Sequence, residues 1–193
     1  MSIMDKYSML DNIRAHSIMV SKVAYILSYS LKETGNKICI KKTIAASLLH
    51  DIGKTIALRS GGNHAKIGMD ICLENGFDEI ANIVAEHVIL KQFDLNPPCT
   101  EKEIVYYSDK RVNHDKVVSL DERLSYILQR YGRNDDRMHE SIKSNFDLCR
   151  KIEKKIFKGI PIFPEDLPTL VNDVCLDEKN NLIGWQKKIT YLK

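Results

Sequence analysis

Leu48-Leu49-His50-Asp51-Ile52-Gly53-Lys54 closes a run, Thr43 to His50, that is apolar on nearly every side, as expected of a helix surrounded by other helices. Asp51-Ile52-Gly53 offers that helix a place to end or bend. Two ionisable groups thus stand at the edge of an apolar interior. The same arrangement recurs outward from there. Ile13, Val20, Val23 and Leu27 lie three to seven apart on one face of a first helix, and His16 falls on that stripe. Asn63 is placed to cap a helix from His64 to about Glu74, which stops at Asn75-Gly76. Ile80, Ile83, Val84 and His87 follow helical spacing, so His87 points where core residues point.

Beyond Pro97-Pro98, Thr100 with Glu103 and Ser119 with Glu122 are capping boxes that open two further helices, the second running to Tyr131. Asp109 shares a face of the first with Val105 and Val112. A longer helix spans about Asp136 to Lys158 and stops at Gly159-Ile160-Pro161. Pro161, Pro164 and Pro168 then change the character of the chain, and Leu182 to Lys193 alternates loosely, as a short strand does. The expected fold is all-α: a helical bundle over residues 1–160, with residues 161–193 as a short irregular extension packed on it.

The 193 residues are 44% hydrophobic with 9 Gly and 5 Pro, enough for a core and without a disorder signature. The 29 basic and 26 acidic residues are interspersed, a net of +3 that does not itself point to nucleic acid. No apolar run approaches the roughly 20 residues of a membrane span, and the N-terminus has no apolar signal core, so a cytoplasmic protein is expected. The 5 cysteines are far apart and form no C-x-x-C pair, which argues against a disulfide framework and a thiolate zinc site.

His16, His50, Asp51, His64, His87 and Asp109 therefore carry the chemistry. A single histidine on an apolar stripe is ordinarily a hydrogen-bonded core residue. Four of them with two aspartates strain that explanation, because a buried ionised carboxylate without a partner costs several kcal/mol. A shared divalent-metal site accounts for all six, with His50 and Asp51 diverging by about 100° on successive helical positions to grip one ion.

These residues resemble the HD superfamily of metal-dependent phosphohydrolases, whose pattern is H, then HD, then a distant D. His16 in Arg14-Ala15-His16-Ser17, His50-Asp51, and Asp109 in Tyr107-Ser108-Asp109 match it, and His64 with His87 matches its dinuclear variant. The resemblance covers about residues 10 to 131. It implies that His16, His50, Asp51 and Asp109 ligate one ion, that Asp51, His64 and His87 hold a second, and that Asp51 bridges them. Nitrogen and oxygen ligands suit Fe or Mn first, with Co, Ni, Zn and Mg also compatible. Two such ions lower the pKa of water and supply a hydroxide for in-line attack on a phosphate ester of a nucleotide or small phosphorylated metabolite. Asp51 and Lys54 are the catalytic candidates, and Lys54, Lys110 and Arg111 the substrate-binding ones.

The residues after His87 and Asp109 depart from the enzymes of the superfamily that cleave dinucleoside tetraphosphates, and His87 lacks the Gly-Tyr-Pro setting of its cyclic-di-GMP phosphodiesterases, so the substrate stays open. A non-catalytic nucleotide-sensing module and, further off, a di-iron oxygenase are the alternatives. His114-Asp115 is a second His-Asp pair without an apolar helix leading into it, so a decoy at most at the pocket rim, and His139 reads as a surface residue. The Pro-rich segment and tail either mediate homodimer contacts or cover the end of the bundle.

Overall fold

α1 (Ile3–Lys6) and α2 (Asp11–Glu33) lead the chain, and α2 is buried around most of its later turns, with Val20, Val23, Ala24, Tyr25, Ile26 and Leu27 all in the interior. Small Ser17, Ser21 and Ser28 on the same helix let neighbours approach closely. α3 (Ile40–Leu49) and α7 (Glu101–Lys110) pack along it, while α4 (Lys54–Ser60), α5 (His64–Glu74) and α6 (Asp78–Glu86) form a layer on α3. A two-stranded antiparallel hairpin, β1 (Val112–Asn113) with β2 (Lys116–Val117), precedes α8 (Leu120–Tyr131) and α9 (Asp136–Phe157). This computed structural model describes residues 2–96, 98–132, 135–176 and 182–183. The fold is all-α, as the sequence leads one to expect.

Both capping boxes form: Thr100 with Glu103 starts α7 and Ser119 with Glu122 starts α8. Asn63 accepts from the amides of Ala65 and Lys66 at the start of α5. These caps satisfy amides that a helix N-terminus leaves without intrahelical partners, which is why the helix starts were readable. Two apolar clusters make the core. One gathers Val23, Ile26, Ile104, Tyr106, Phe146 and Ile152; the other Ile13, Leu49, Ile71, Ile80, Val84 and Val105. α2 and α7 contribute to both and so tie them together. A buried ion pair, Lys155 Nζ to Glu103 Oε1 at 2.8 Å, fastens α9 to α7.

After α9, Ile162, Leu167, Val171 and Val174 sink into the first cluster, carried by α10 (Leu167–Leu170) and the 3₁₀ turns Pro164–Asp166 and Val171–Asp173 that flank it. Of the strand expected over Leu182 to Lys193, Leu182–Ile183 is β4, paired antiparallel with β3 (Cys175–Leu176). Residues 184–193 lie outside the described residues, as does Pro97 of the expected Pro97-Pro98 break. No helix among the described residues is long and apolar enough to cross a membrane.

Candidate metal centre

The last carbonyls of any α-helix lack amide partners, and two helix ends use this to aim a histidine. At the C-cap of α3, His50 folds back so that its Nδ1–H donates to Ser47 O at 2.7 Å. At the C-cap of α6, His87 does the same to Val84 O at 2.6 Å. His16, on α2, donates from Nδ1 to the main-chain carbonyl of His114 at 2.8 Å. A carbonyl only accepts, so a hydrogen sits on Nδ1 in each ring, and Nε2 turns toward the aspartates, free to take a proton or a cation.

The helix ends where Asp51-Ile52-Gly53 offers it a place to end, with His50 as C-cap, so His50 and Asp51 do not grip an ion as successive positions of a continuing helix. α3 stops at Leu49, and tight turns follow, with Ile52 N donating to Leu49 O at 3.0 Å and Lys54 N to Asp51 O at 2.9 Å. Gly53 makes the next approach possible: a Cβ there would stand 2.4 Å from His64 O and 2.6 Å from Gly68 N. With only hydrogen on that carbon, the start of α4 passes against α5 and delivers His64 to Asp51.

Asp51 is the hub. Its Oδ2 lies 3.5 Å from His50 Nε2, and its Oδ1 lies 3.3 Å from His64 Nε2 and 3.5 Å from His87 Nε2. Asp109 Oδ1 is 3.1 Å from His16 Nε2 and 3.6 Å from His50 Nε2. Two overlapping groups result, His16-His50-Asp51 and Asp51-His64-His87, each with its donor atoms within 4.8 Å of one another. Donors about 2.1 Å from a shared cation stand roughly 3.0 to 3.5 Å apart along octahedral or tetrahedral edges. The spacing suits metal ligation.

The polar inventory supports the same fit. His50 Nε2 and Asp51 Oδ1 are buried and have no hydrogen-bond partner, a cost of about 1–3 kcal/mol for each such atom. His16 Nε2 stands 3.1 Å from the carboxylate oxygen Asp109 Oδ1, an approach that needs a proton or a cation between the two atoms. Burial pushes the Asp51 carboxyl up, but His50, His87 and Lys54 outweigh it and hold Asp51 well below the usual carboxylate range. Asp109 is held down likewise, by Lys110, His16 and His50 against burial. Both aspartates stand as anions, ready to ligate. Burial, and then the neighbouring His87, lowers His64 to about 4, so its imidazole is neutral and nucleophilic across the physiological range.

Comparison with known proteins decides the family, because the HD domain profile matches residues 13–113, a span from α2 to the hairpin that includes every one of these side chains. The chain belongs to the HD domain family. HD domains make up a superfamily of metal-dependent phosphohydrolases, which implies binding of divalent metal. An uncharacterized protein of Methanocaldococcus jannaschii is 30% identical over 146 residues, 69% of this chain and 83% of that protein. Ribonuclease Y of Treponema denticola is 35% identical over 181 residues, 89% of this chain, and ribonuclease Y of Treponema pallidum is 34% identical over 99 residues, 51% of this chain. The matched segments span only 32% and 18% of those two ribonucleases. No solved structure matches the chain.

Around the HD centre the expected cations divide. Lys54 begins α4, and its ammonium donates to Asp51 Oδ2 at 2.8 Å while 35% of its side chain stays exposed. Lys110 and Arg111, the other two candidate substrate-binding cations, both turn inward. The Lys110 ammonium is buried, bonded to the His87 carbonyl and to Asp109 Oδ2 at 3.1 Å, and lies 4.2 Å from the centre of the Tyr106 ring. Arg111 turns into the interior, donating to Val118 O at 2.7 Å, Pro164 O at 2.9 Å and the Tyr107 hydroxyl, with Glu153 at 3.3 Å. His139, expected at the surface, is half-buried, packed so closely on Gly132 that a Cβ there would fall 2.1 Å from its Nε2. The His114 ring stays out of the centre, as expected, yet its carbonyl orients His16. Sequence reasoning missed that carbonyl and those of Ser47 and Val84, since main-chain acceptors carry no residue-type signal. Only the three-residue offset to a histidine at a helix end hints at the latter two.

Proposed function

We propose that this HD domain is a phosphohydrolase that cleaves a phosphate ester of a nucleotide or small phosphorylated metabolite at a dinuclear centre. His16, His50, Asp51 and Asp109 hold one divalent ion in this reading, and Asp51, His64 and His87 the other. The observation that carries it is the hub geometry of Asp51: one buried carboxylate belongs to both donor groups, and its Oδ1 and the adjacent His50 Nε2 have no hydrogen-bond partner. Such ions supply Lewis acidity to a phosphoryl oxygen and acidify water to a nucleophile near neutral pH.

The side chains of the protein do the rest. The buried His50, His87 and His16 fix the ligand geometry through their carbonyl partners, as second-sphere acceptors do in metal sites generally. His64, with 28% of its side chain exposed, and Lys54 mark the side open to solvent. Lys54 holds the Asp51 carboxylate in its orientation and can turn its ammonium to a non-bridging phosphate oxygen. An open side of this kind favours a catalytic over a closed structural site. The similarity to ribonuclease Y adds a phosphodiester of RNA to the substrates to be tried.

A panel of phosphate monoesters and diesters, incubated under nitrogen with protein reconstituted with Mn²⁺ or Fe²⁺, tests the reading. Turnover of at least one ester, abolished by a chelator and restored by metal, is the expected result. Absence of turnover with every ester, alongside tight nucleotide binding, would leave a sensing module in its place. Oxygen-dependent turnover alone would leave an oxygenase.

A further inference from the structure

One stripe of α8 and the tip of the β1–β2 hairpin have no part in the reading above. Arg123, Tyr126 and Arg130 recur at i, i+3 and i+7 and so share a face of α8, with Tyr131 next to it. Leu124 and Ile127, alongside, pack on the core and fix the helix in place. The Arg123 guanidinium lies 5.5 Å from the centre of the Tyr126 ring and donates to Asn113 Oδ1 at 3.0 Å. His114 meets the same ring edge-on at 5.4 Å, and Arg130 lies 5.8 Å from the centre of the Tyr131 ring. Flat π surfaces and guanidinium planes therefore alternate along one surface. Tyr131 is 45% exposed, His114 and Arg130 are exposed, and Tyr126 is half-buried.

One end of this surface meets the metal centre, where the His114 carbonyl holds His16. His114 also sits at φ 55°, a left-handed conformation at the first position of a two-residue hairpin turn, where glycine is the usual occupant. Glycine would present the same carbonyl to His16 without strain, so what this position gains from histidine is the ring.

Planes of this kind recognise other planes. A nucleobase stacks on tyrosine and on arginine guanidinium whatever its sequence, whereas a sugar phosphate engages the cations alone. We propose that the hairpin tip and the Arg123-Tyr126-Arg130-Tyr131 face of α8 form the subsite that holds the nucleobase of the substrate, making the centre selective for nucleoside phosphates over sugar phosphates. The assignment rests on the phosphohydrolase reading for where the phosphate sits. A free mononucleotide and single-stranded RNA share the recognised chemistry.

Calorimetric affinities of adenosine 5′-monophosphate, ribose 5-phosphate and a four-nucleotide single-stranded adenylate RNA test it, using the protein as purified. The wild type is expected to prefer adenosine monophosphate over ribose 5-phosphate by about tenfold or more. Tyr126→Leu with Tyr131→Leu brings that preference to about twofold or less, while the paired Phe variants keep it. Should the leucine pair fail to fold, Tyr131→Leu alone, at an exposed position, carries the same comparison at roughly half the logarithmic effect. RNA binding at least tenfold tighter than the mononucleotide supports the subsite with an RNA chain as its ligand, and equal affinities support it with a free nucleotide. A wild type indifferent to the base, or leucine variants that keep the preference, overturns the subsite. Base preference without hydrolysis of any ester overturns the phosphohydrolase reading and leaves the subsite standing; hydrolysis without base preference does the reverse.

Discussion

The two aspartates of the centre each carry a lysine, and the two regions differ in what surrounds that pair. Around Asp109, Lys110 is 7% exposed in its side chain and is held by a carboxylate, a main-chain carbonyl and an aromatic face. Around Asp51, Lys54 is 35% exposed in its side chain and has one carboxylate partner, with His64 partly open beside it. In the proposed function the closed pole builds the centre and the open pole admits the substrate. Two adjacent sequence labels, lysine three residues after one aspartate and one residue after the other, hide this difference, because burial decides whether a cation is a strut or a tool.

The comparison is most exposed to Asp51→Ala, which removes the carboxylate common to both donor groups. Metal content by elemental analysis is expected to fall below one ion per chain, and ester hydrolysis to drop by about 10³-fold or more; near-full metal content would show that Asp51 is not a bridge. Lys110→Met comes next, since it leaves Asp109 Oδ2 and the His87 carbonyl buried without their donor. Urea denaturation should show a loss of about 3 kcal/mol, the scale of a broken buried pair. Lys54→Met should instead change stability by under about 1 kcal/mol, as for a solvent-screened pair, while lowering turnover by about 10- to 100-fold. If the two lysines behaved alike, the distinction between poles would fail.

A pH series sharpens the open pole. In chelator-treated protein His64 is neutral down to about 4, against its ordinary 6.5. The unfolded chain therefore takes up that proton first as pH falls, so this contribution to stability is complete above 6.5 and is lost between 6.5 and 4. His64→Gln should flatten that part of the curve of urea midpoint against pH; an unchanged curve would assign the slope elsewhere. The smallest expected effect is His114→Gly, which relieves the positive φ and should stabilise by up to about 1 kcal/mol, with metal content unaltered because the carbonyl to His16 is retained.

Helix starts were legible because capping is local: Asn63, Thr100 with Glu103, and Ser119 with Glu122 act within one turn of themselves. The identity of the candidate ligands was legible too, since a histidine or aspartate on an apolar face is conspicuous wherever the chain goes. The fates of Lys110 and Arg111 were not. Each is a long flexible cation next to Asp109, and the partners that draw them inward, the His87 and Pro164 carbonyls, lie 23 and 53 residues away.

By itself, then, the sequence determined an all-helical chain whose apolar stripes are interrupted by four histidines and two aspartates in the HD order, because periodicity and residue chemistry are written residue by residue. The tertiary structure alone decided that His50 and Asp51 leave the helix before they turn inward, that Gly53 lets His64 close on Asp51, and that backbone carbonyls set which nitrogen of each buried ring is free. These depend on how closely distant backbones approach, a property of packing that no local spacing encodes.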